Sequence, residues 1–266
     1  HTPNAQIVVA DNASEDASHD FLRANYPGLR YIQLDKNYGF TGGYNRALEQ
    51  VEAKYYVLLN SDIEVAANWL EPLVKAMEEN SNLAACMPKI LGYNQPDHFE
   101  YAGASGGFID KYGFPFCRGR IMDTVEKDLG QYNEAIDIMW ASGACLAIRS
   151  DIFHSVGGFD EAFFAHMEEI DLCWRIHHMG YTIKAIPSSK VFHVGGGTLP
   201  NESPFKLFLN FRNNLFLLYK NLPDNKRRAI MFRRRMLDYL AYLVYLLKGE
   251  LQNAAAIRKA HGAYKK

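Results

Sequence analysis

Acids placed at the ends of apolar runs are the first residues in this chain that could do chemistry. In Tyr55 to Val65, YYVLLNSDIEV, the apolar run Tyr55-Leu59 stops at Asn60, Ser61 and Asp62, and Ile63 resumes it with Glu64 alongside. A buried strand ending in an acid delivers it where open α/β sheets bind ligands, so Asp62 is a candidate to hold a metal, a phosphate or a ribose. It is equally a candidate cap for the helix that starts near Asn68. Asp11 and Asn12 repeat the arrangement after Ile7-Val8-Val9-Ala10, with Ser14 placed to cap the next helix. Glu168 and Glu169 fall at the start of a helical pattern in which Leu172, Ile176 and Met179 form a stripe and Asp171 and Arg175 pair at i, i+4. A helix N-terminus favours anions, though acids in a first turn are also commonplace. His193 closes the strand Lys190–Val194 ahead of Gly195-Gly196-Gly197, as a ligand or as a structural residue.

Elements at regular spacing must position these groups. Strands over 7–10, 31–34 and 55–59 alternate with helices over 15–25, 45–52 and 69–79, which predicts a parallel sheet with crossover helices. Three glycines between Gly39 and Gly43 precede the second helix, where they let backbone N–H groups approach a diphosphate or simply shape a tight turn. Further strands are expected over 84–91, 140–149, 182–186 and 190–194, with a break at Pro187 and a helix over 150–156. Residues 101–120, rich in Gly and aromatics, suit a hairpin or loop over the sheet, and residues 123–136 read as acidic, polar and mobile. A doubly wound fold carries one more strand and helix ahead of the strand at residue 7, so these are expected to precede the sequence. The domain division is 1–203 for the nucleotide-binding unit and 204–266 for a helical extension.

With 48% apolar and 22% charged residues, the 266-residue chain is an ordinary globular protein long enough for a full core. Cys86, Cys117, Cys145 and Cys173 are scattered without a CxxC pair, which speaks against a zinc site or a disulfide framework and for a reducing, cytoplasmic setting. No run reaches the length needed to span a bilayer. The net charge of −1 hides an asymmetry: 14 Lys/Arg against three acids from Lys206 onward give +11, leaving −12 on the rest. Phe205, Phe208, Leu209, Phe211, Leu215, Phe216 and Leu218 form a broad apolar surface, and Lys226-Arg227-Arg228 and Arg233-Arg234-Arg235 precede the apolar run Tyr239–Leu247. A basic amphipathic helix of this kind lies at an anionic membrane surface or packs on the rest of the protein. The aromatics are not interleaved with the charges as a nucleic-acid binder would need, so no nucleic-acid partner is expected.

Six motifs in order, DNASED at Asp11–Asp16, NYGFTGGYNRAL at Asn37–Leu48, LLNSD at Leu58–Asp62, WASGACLAIR at Trp140–Arg149, MEEIDLCWR at Met167–Arg175 and VFHVGGG at Val191–Gly197, resemble glycosyltransferase family 2. The likeness is to its rhamnosyltransferase-like bacterial branch and covers about residues 5–220. It implies a GT-A fold of class α/β: a mostly parallel nucleotide-binding sheet flanked by helices, with the helical extension behind it. It also implies inverting transfer of a sugar from a nucleotide-diphosphate sugar to a saccharide or lipid-linked acceptor, aided by a divalent cation. Attachment through the basic tail would put such an acceptor, and the enzyme peripherally, at the inner face of the plasma membrane. Carried onto this sequence, Asp11 meets the nucleobase, Asn12 and Ser14 shape its turn, and Asn37, Gly39 and Asn45 belong to the donor loop. Asp62 is the metal-binding acid, with Asn60 in place of the usual first Asp, and His193 is the second metal or diphosphate ligand. Glu169 takes the position of the catalytic base, with Glu168 beside it where the family usually has Glu-Asp. Oxygen and imidazole donors fit Mg²⁺ or Mn²⁺, the imidazole tilting toward Mn²⁺. Two other classes share the architecture, a nucleotidyltransferase and a sugar-nucleotide-binding protein without activity.

Overall fold

The computed structural model describes residues 4–101, 103–122, 124–195 and 203–264. The chain opens with β1 (Val8–Asp11), α1 (Ser18–Asn25), β2 (Arg30–Gln33) and α2 (Gly39–Leu48). Then come β3 (Tyr55–Leu59), the short β4 (Ile63–Val65), α3 (Leu70–Glu79) and β5 (Leu83–Gly92). The Gly/aromatic stretch folds into two small hairpins, β6 (Gly107–Ile109) with β7 (Pro115–Cys117) and β8 (Arg120–Ile121) with β9 (Thr124–Val125). After β10 (Ile136–Asp137) and β11 (Cys145–Arg149) follow α4 (Ser150–Ser155), a 3-10 turn at Glu161–Phe163, α5 (Glu168–His178) and β12 (Thr182–His193). Three helices close the chain: α6 (Pro204–Asn221), α7 (Asp224–Leu247) and α8 (Leu251–Ala263).

The α/β class holds, and the central sheet runs β10-β12-β5-β11-β3 with β4 on β12. It is mixed rather than mostly parallel. β12 is parallel to β5, but β11 runs antiparallel to both β5 and β3. The chain reaches β11 from β5 through hairpins rather than a crossover helix, and a return without a crossover delivers an antiparallel strand. β1 and β2 form a separate parallel ribbon beside this sheet. β5 has nine of its ten residues buried and, with β11, carries the centre of the core. The expected break at Pro187 is a register shift between Ile186 and Lys190 inside one continuous β12, since a bulge accommodates a proline that cannot donate to the ladder.

α2 begins at Gly39, so the glycines lie inside the helix rather than before a helix at Asn45. The segment expected to be mobile is fastened instead. The fully buried Lys89 ammonium reaches Asp128 Oδ2 at 2.8 Å and Asn133 Oδ1 at 2.6 Å. The tail is helical as its periodicity predicts, and α6 is part of the core, with Leu217 in the main cluster and Leu215 and Leu218 packed on Leu222 and Met231. Arg234 of the basic run is not a surface charge: it is buried, and its Nε donates to Asp238 Oδ1 at 2.7 Å. Among the described residues no helix is long and apolar enough to cross a membrane. All four cysteines are buried and free.

Candidate active site

The ends of β1, β3 and β12, the start of α2 and the start of α5 open onto one cleft of about 3180 Å³. Asp11, Asn12, Ser14, Asn37, Gly39, Asn60, Asp62, Glu168, Glu169 and His193 all line it. Asn45 does not. Its Nδ2 donates to Phe159 O at 2.8 Å and its Oδ1 accepts from Phe159 N at 2.9 Å, so the amide is spent on holding the turn before α5. Glu64 is also absent from the cleft wall, because β4 pairs it opposite Phe192 on β12.

On the β1 side, Asp11 Oδ1 accepts from Ser14 N at 2.8 Å, and the Tyr31 hydroxyl donates to Oδ2. Burial alone would raise this carboxyl, but those hydrogen bonds outweigh it and hold Asp11 below the usual carboxylate range. Asn12 is a bracket. Its Nδ2 donates to Gly39 O at 2.8 Å and Asn37 Oδ1 at 3.2 Å, and its Oδ1 accepts from Tyr38 N at 3.0 Å. Gly39 is required at its place: its φ is +71°, and a Cβ there would stand 2.5 Å from the Phe164 ring. Of the first N–H groups of α2, Gly39 N is taken by Asn37 Oδ1 and Thr41 N by Phe164 O. The glycine stretch is thus committed at least in these two groups to packing α2 against the 37–39 and 164 turns.

At the end of β3, Asn60 N donates to Ala144 O at 3.0 Å, which ties the turn to the start of β11. Pairing of β4 with β12 sets Ile63 opposite His193 and so brings His193 beside Asp62. Asp62 Oδ1 lies 3.2 Å from His193 Nε2. On the other side of the ring, Glu100 Oε1 lies 3.3 Å from Nδ1. Burial would lower the imidazole, but Glu100 and then Asp62 outweigh it and raise His193 above its ordinary value. Nothing in the sequence marked Glu100, which stands just ahead of the Gly/aromatic stretch, and only the folded chain brings it to His193. Half-buried Lys206, also on the cleft wall, adds a positive charge nearby. Gly196 and Gly197 of the motif after His193 lie outside the described residues.

Glu168 and Glu169 open α5 after a run of left-handed backbone at Phe164, His166 and Met167. Such strain persists only where the surroundings impose it. Here α6 imposes it: Asn213 Nδ2 lies 2.9, 2.8 and 2.7 Å from the carbonyl oxygens of Phe163, Ala165 and His166, and Arg212 Nη2 donates to Phe163 O at 2.9 Å. α5 is pinned to α6 a second time through the fully buried Asp171, which holds Arg175, Lys220 and Asn221. Burial pushes the Glu169 carboxyl up to about 7, against first-turn N–H groups that hold it down. Burial pushes Glu168 well above the usual range too, and the neighbouring Glu169 charge adds to it. Neither glutamate Oε2 has a hydrogen-bond partner among the described residues. Gly143 faces the Glu169 side chain, where an added Cβ would stand 3.8 Å from the glutamate Cβ. The cleft thus presents a proton acceptor on one wall and a carboxylate–imidazole pair on another. Among the described residues no cluster of three or more His, Cys, Asp or Glu is arranged to hold a metal by itself. Asp62 and His193 nevertheless converge as two donors of the kind a hard or borderline divalent cation takes, leaving its remaining positions to a ligand.

Residues 1–157 match the family model described as "Glycosyl transferase family 2". Among curated relatives, N-acetylglucosaminyl-diphospho-decaprenol L-rhamnosyltransferase of Mycobacterium tuberculosis is 26% identical over 205 residues, covering 70% of this chain and 66% of that protein. Rhamnosyltransferase WbbL of Escherichia coli K12 is 26% identical over 195 residues, 71% of this chain and 72% of its own. The chain thus spans about two thirds of the length of the first of these relatives. Among solved structures, GalNAc-T7 with UDP, GalNAc and Mn²⁺ superposes at a TM-score of 0.59 and 18% identity over 80% of this chain and 41% of the other. The mannosyltransferase PcManGT from Pyrobaculum calidifontis, in complex with GDP-Man and Mn²⁺, reaches 0.54 at 14% identity over 97% and 65%. These two likenesses speak to the fold, which is of the GT-A type.

Proposed function

Because the chain belongs to glycosyl transferase family 2, we propose that it is an inverting glycosyltransferase of bacterial cell-surface polysaccharide or glycolipid synthesis, moving a sugar from a nucleotide-diphosphate sugar to an acceptor hydroxyl. The observation that carries this reading is one cleft holding both a glutamate tuned toward neutrality and the Asp62–His193 pair. The rhamnosyltransferase relatives favour a rhamnose-like donor sugar and a saccharide on a polyprenyl diphosphate as acceptor. A lipid-linked acceptor in turn sets the enzyme peripherally at the inner face of the plasma membrane.

Glu169 acts as the base. An ionised carboxylate with an elevated affinity for protons takes the proton of the acceptor hydroxyl near neutral pH, where base strength and ionised fraction are both useful. The acceptor oxygen then attacks the anomeric carbon from the face opposite the diphosphate. The bond from that carbon to the diphosphate oxygen breaks, the electron pair leaves with the nucleoside diphosphate, and the configuration inverts. Asp62 and His193 would hold Mg²⁺ or Mn²⁺, which neutralises charge on the leaving diphosphate when bound. Glu100, against His193 Nδ1, fixes the ring so that Nε2 faces Asp62. Asp11 and its Ser14 turn meet the nucleobase, with Asn12, Asn37 and Gly39 forming the wall beside it. Phe40 and the Phe164–Met167 turn line the cleft and keep water from the reacting carbon.

The reading is tested by offering UDP-, dTDP- and GDP-sugars with a polyprenyl-diphosphate N-acetylglucosamine analogue and following the anomeric proton of any disaccharide by NMR. A product of inverted configuration supports the proposal. Donor hydrolysis without transfer, or a product of retained configuration, contradicts it.

A further inference from the structure

α7 is anchored by one face and leaves the other uncovered. Inward, Met231, Arg234 and Asp238 are buried, Arg234 lies 4.1 Å over the Phe114 ring, and His261 Nε2 of α8 stands 2.9 Å from Asp238 Oδ2. Outward, Phe232, Met236, Tyr239, Leu240, Val244 and Leu247 are exposed at three- and four-residue spacing, Phe232 to 66% and Leu247 to 88%. They form one apolar band along the helix. Exposed Arg228 and Arg235 flank the band in its first half, and the two acids of α7 stay clear of it: Asp238 is turned inward and Asp224 sits at the helix start. The segment from Lys206 onward carries +11 against −12 on the rest of the chain.

We propose that the outward face of α7 lies in the surface of an anionic lipid bilayer, the band at the acyl boundary and the guanidinium groups of Arg228 and Arg235 at the level of the lipid phosphates. This docking face rests on the lipid-linked acceptor of the proposed function only for its purpose. Charge decides between occupants. A second copy placed antiparallel on this face would set the arginine half of one helix against the apolar half of the other and bury unpaired guanidinium groups, which is costly. At a bilayer surface the same side chains extend to the phosphates while their stems cover the band edge. The charge division also orients the molecule, drawing the basic helices to an anionic surface and repelling the acidic body. The face lies on the surface rather than across it, as no described helix can span.

The full chain is sedimented with phosphatidylcholine vesicles and with vesicles containing phosphatidylglycerol. Retention on the anionic vesicles is expected to exceed that on the neutral ones by about twentyfold or more, each flanking arginine being worth about fivefold. The triple variant Phe232→Ser, Met236→Ser, Leu240→Ser should lower retention about tenfold or more on anionic vesicles. The double variant Arg228→Gln, Arg235→Gln should reduce the preference for phosphatidylglycerol about twentyfold. Both sets lie on the solvent side of α7, so thermal melts and nucleoside diphosphate binding should match those of the starting protein. Equal retention on the two vesicle types, or retention unchanged in both variants, overturns the proposal. So does a dimer that the serine variant converts to monomer, which would show a second copy on the face. Vesicle binding as predicted with no nucleotide binding would sink the donor reading and leave the docking face standing.

Discussion

Glu169 differs from an ordinary surface glutamate only in where the fold puts it. Half-buried at the first turn of α5, with Oε2 unpartnered among the described residues, it holds a proton to about pH 7. Glu169→Gln keeps the shape and removes the base. Transfer should fall by about 10²- to 10⁴-fold while nucleoside diphosphate binding changes little, as read by a turnover assay beside a titration; loss of binding would remove Glu169 from the role of base. The rate of the starting protein should rise with pH through a step near 7, and that step should vanish in the variant's residual rate. Glu100 makes a different prediction. If it orients His193, Glu100→Gln should weaken Mn²⁺ binding in the presence of nucleotide by about tenfold or more. A thermal destabilisation with unchanged metal affinity would reduce Glu100 to a packing residue.

At the scale of elements, the turn before α5 and the helix α6 work as a pair. Three left-handed residues at 164–167 aim Glu168 and Glu169 into the cleft, and Asn213 with Arg212 holds the turn by its carbonyls. Asn213→Ala leaves those buried carbonyls short of a donor and should cost about 1–3 kcal/mol in urea denaturation. It should also lower kcat more than it weakens nucleotide binding, since the base and not the nucleotide pocket loses its support. Gly39→Ala meets both a positive φ and the Phe164 ring, and should cost more than about 2 kcal/mol. Gly28→Ala, with open space around it, should stay within about 0.5 kcal/mol. These contacts mark the limit of what the sequence shows. A strand that ends in Asp62, an acid pair that opens a helix and a His at a strand end are local signals, readable from period and position alone. The Asn213 clamp, Glu100 behind His193 and the diversion of Asn45 to Phe159 are pairings between distant segments, and no local pattern announces them. The mixed sheet was hidden for the same reason, because β11 reads as a strand in either direction.

For the whole molecule, Glu168 and Glu169 link stability to pH. Their folded-state affinities for protons are raised, that of Glu169 to about 7, so above the ordinary carboxylate range the folded state binds more protons than the unfolded state, and unfolding free energy falls as pH rises. Thermal melts should therefore show the midpoint dropping between about pH 5 and about pH 8, with a smaller drop in Glu169→Gln. An unchanged slope in that variant would mean that other groups carry the effect. The charge asymmetry, and an anionic surface as one of its two readings, was visible in the sequence. Which side chains face outward was not, because the inward turn of Arg234 and the exposure of the α7 band emerge only once α7 packs on α6 and α8.

The central claim is a metal-dependent nucleoside diphosphate site built on Asp62. It is tested most directly by isothermal titration of UDP, dTDP and GDP, with and without Mn²⁺, into the starting protein and Asp62→Ala. The account predicts that one nucleotide binds, that binding needs Mn²⁺, and that the substitution weakens it about tenfold or more. Binding indifferent to both Mn²⁺ and Asp62, or no binding by any of the three, would contradict it.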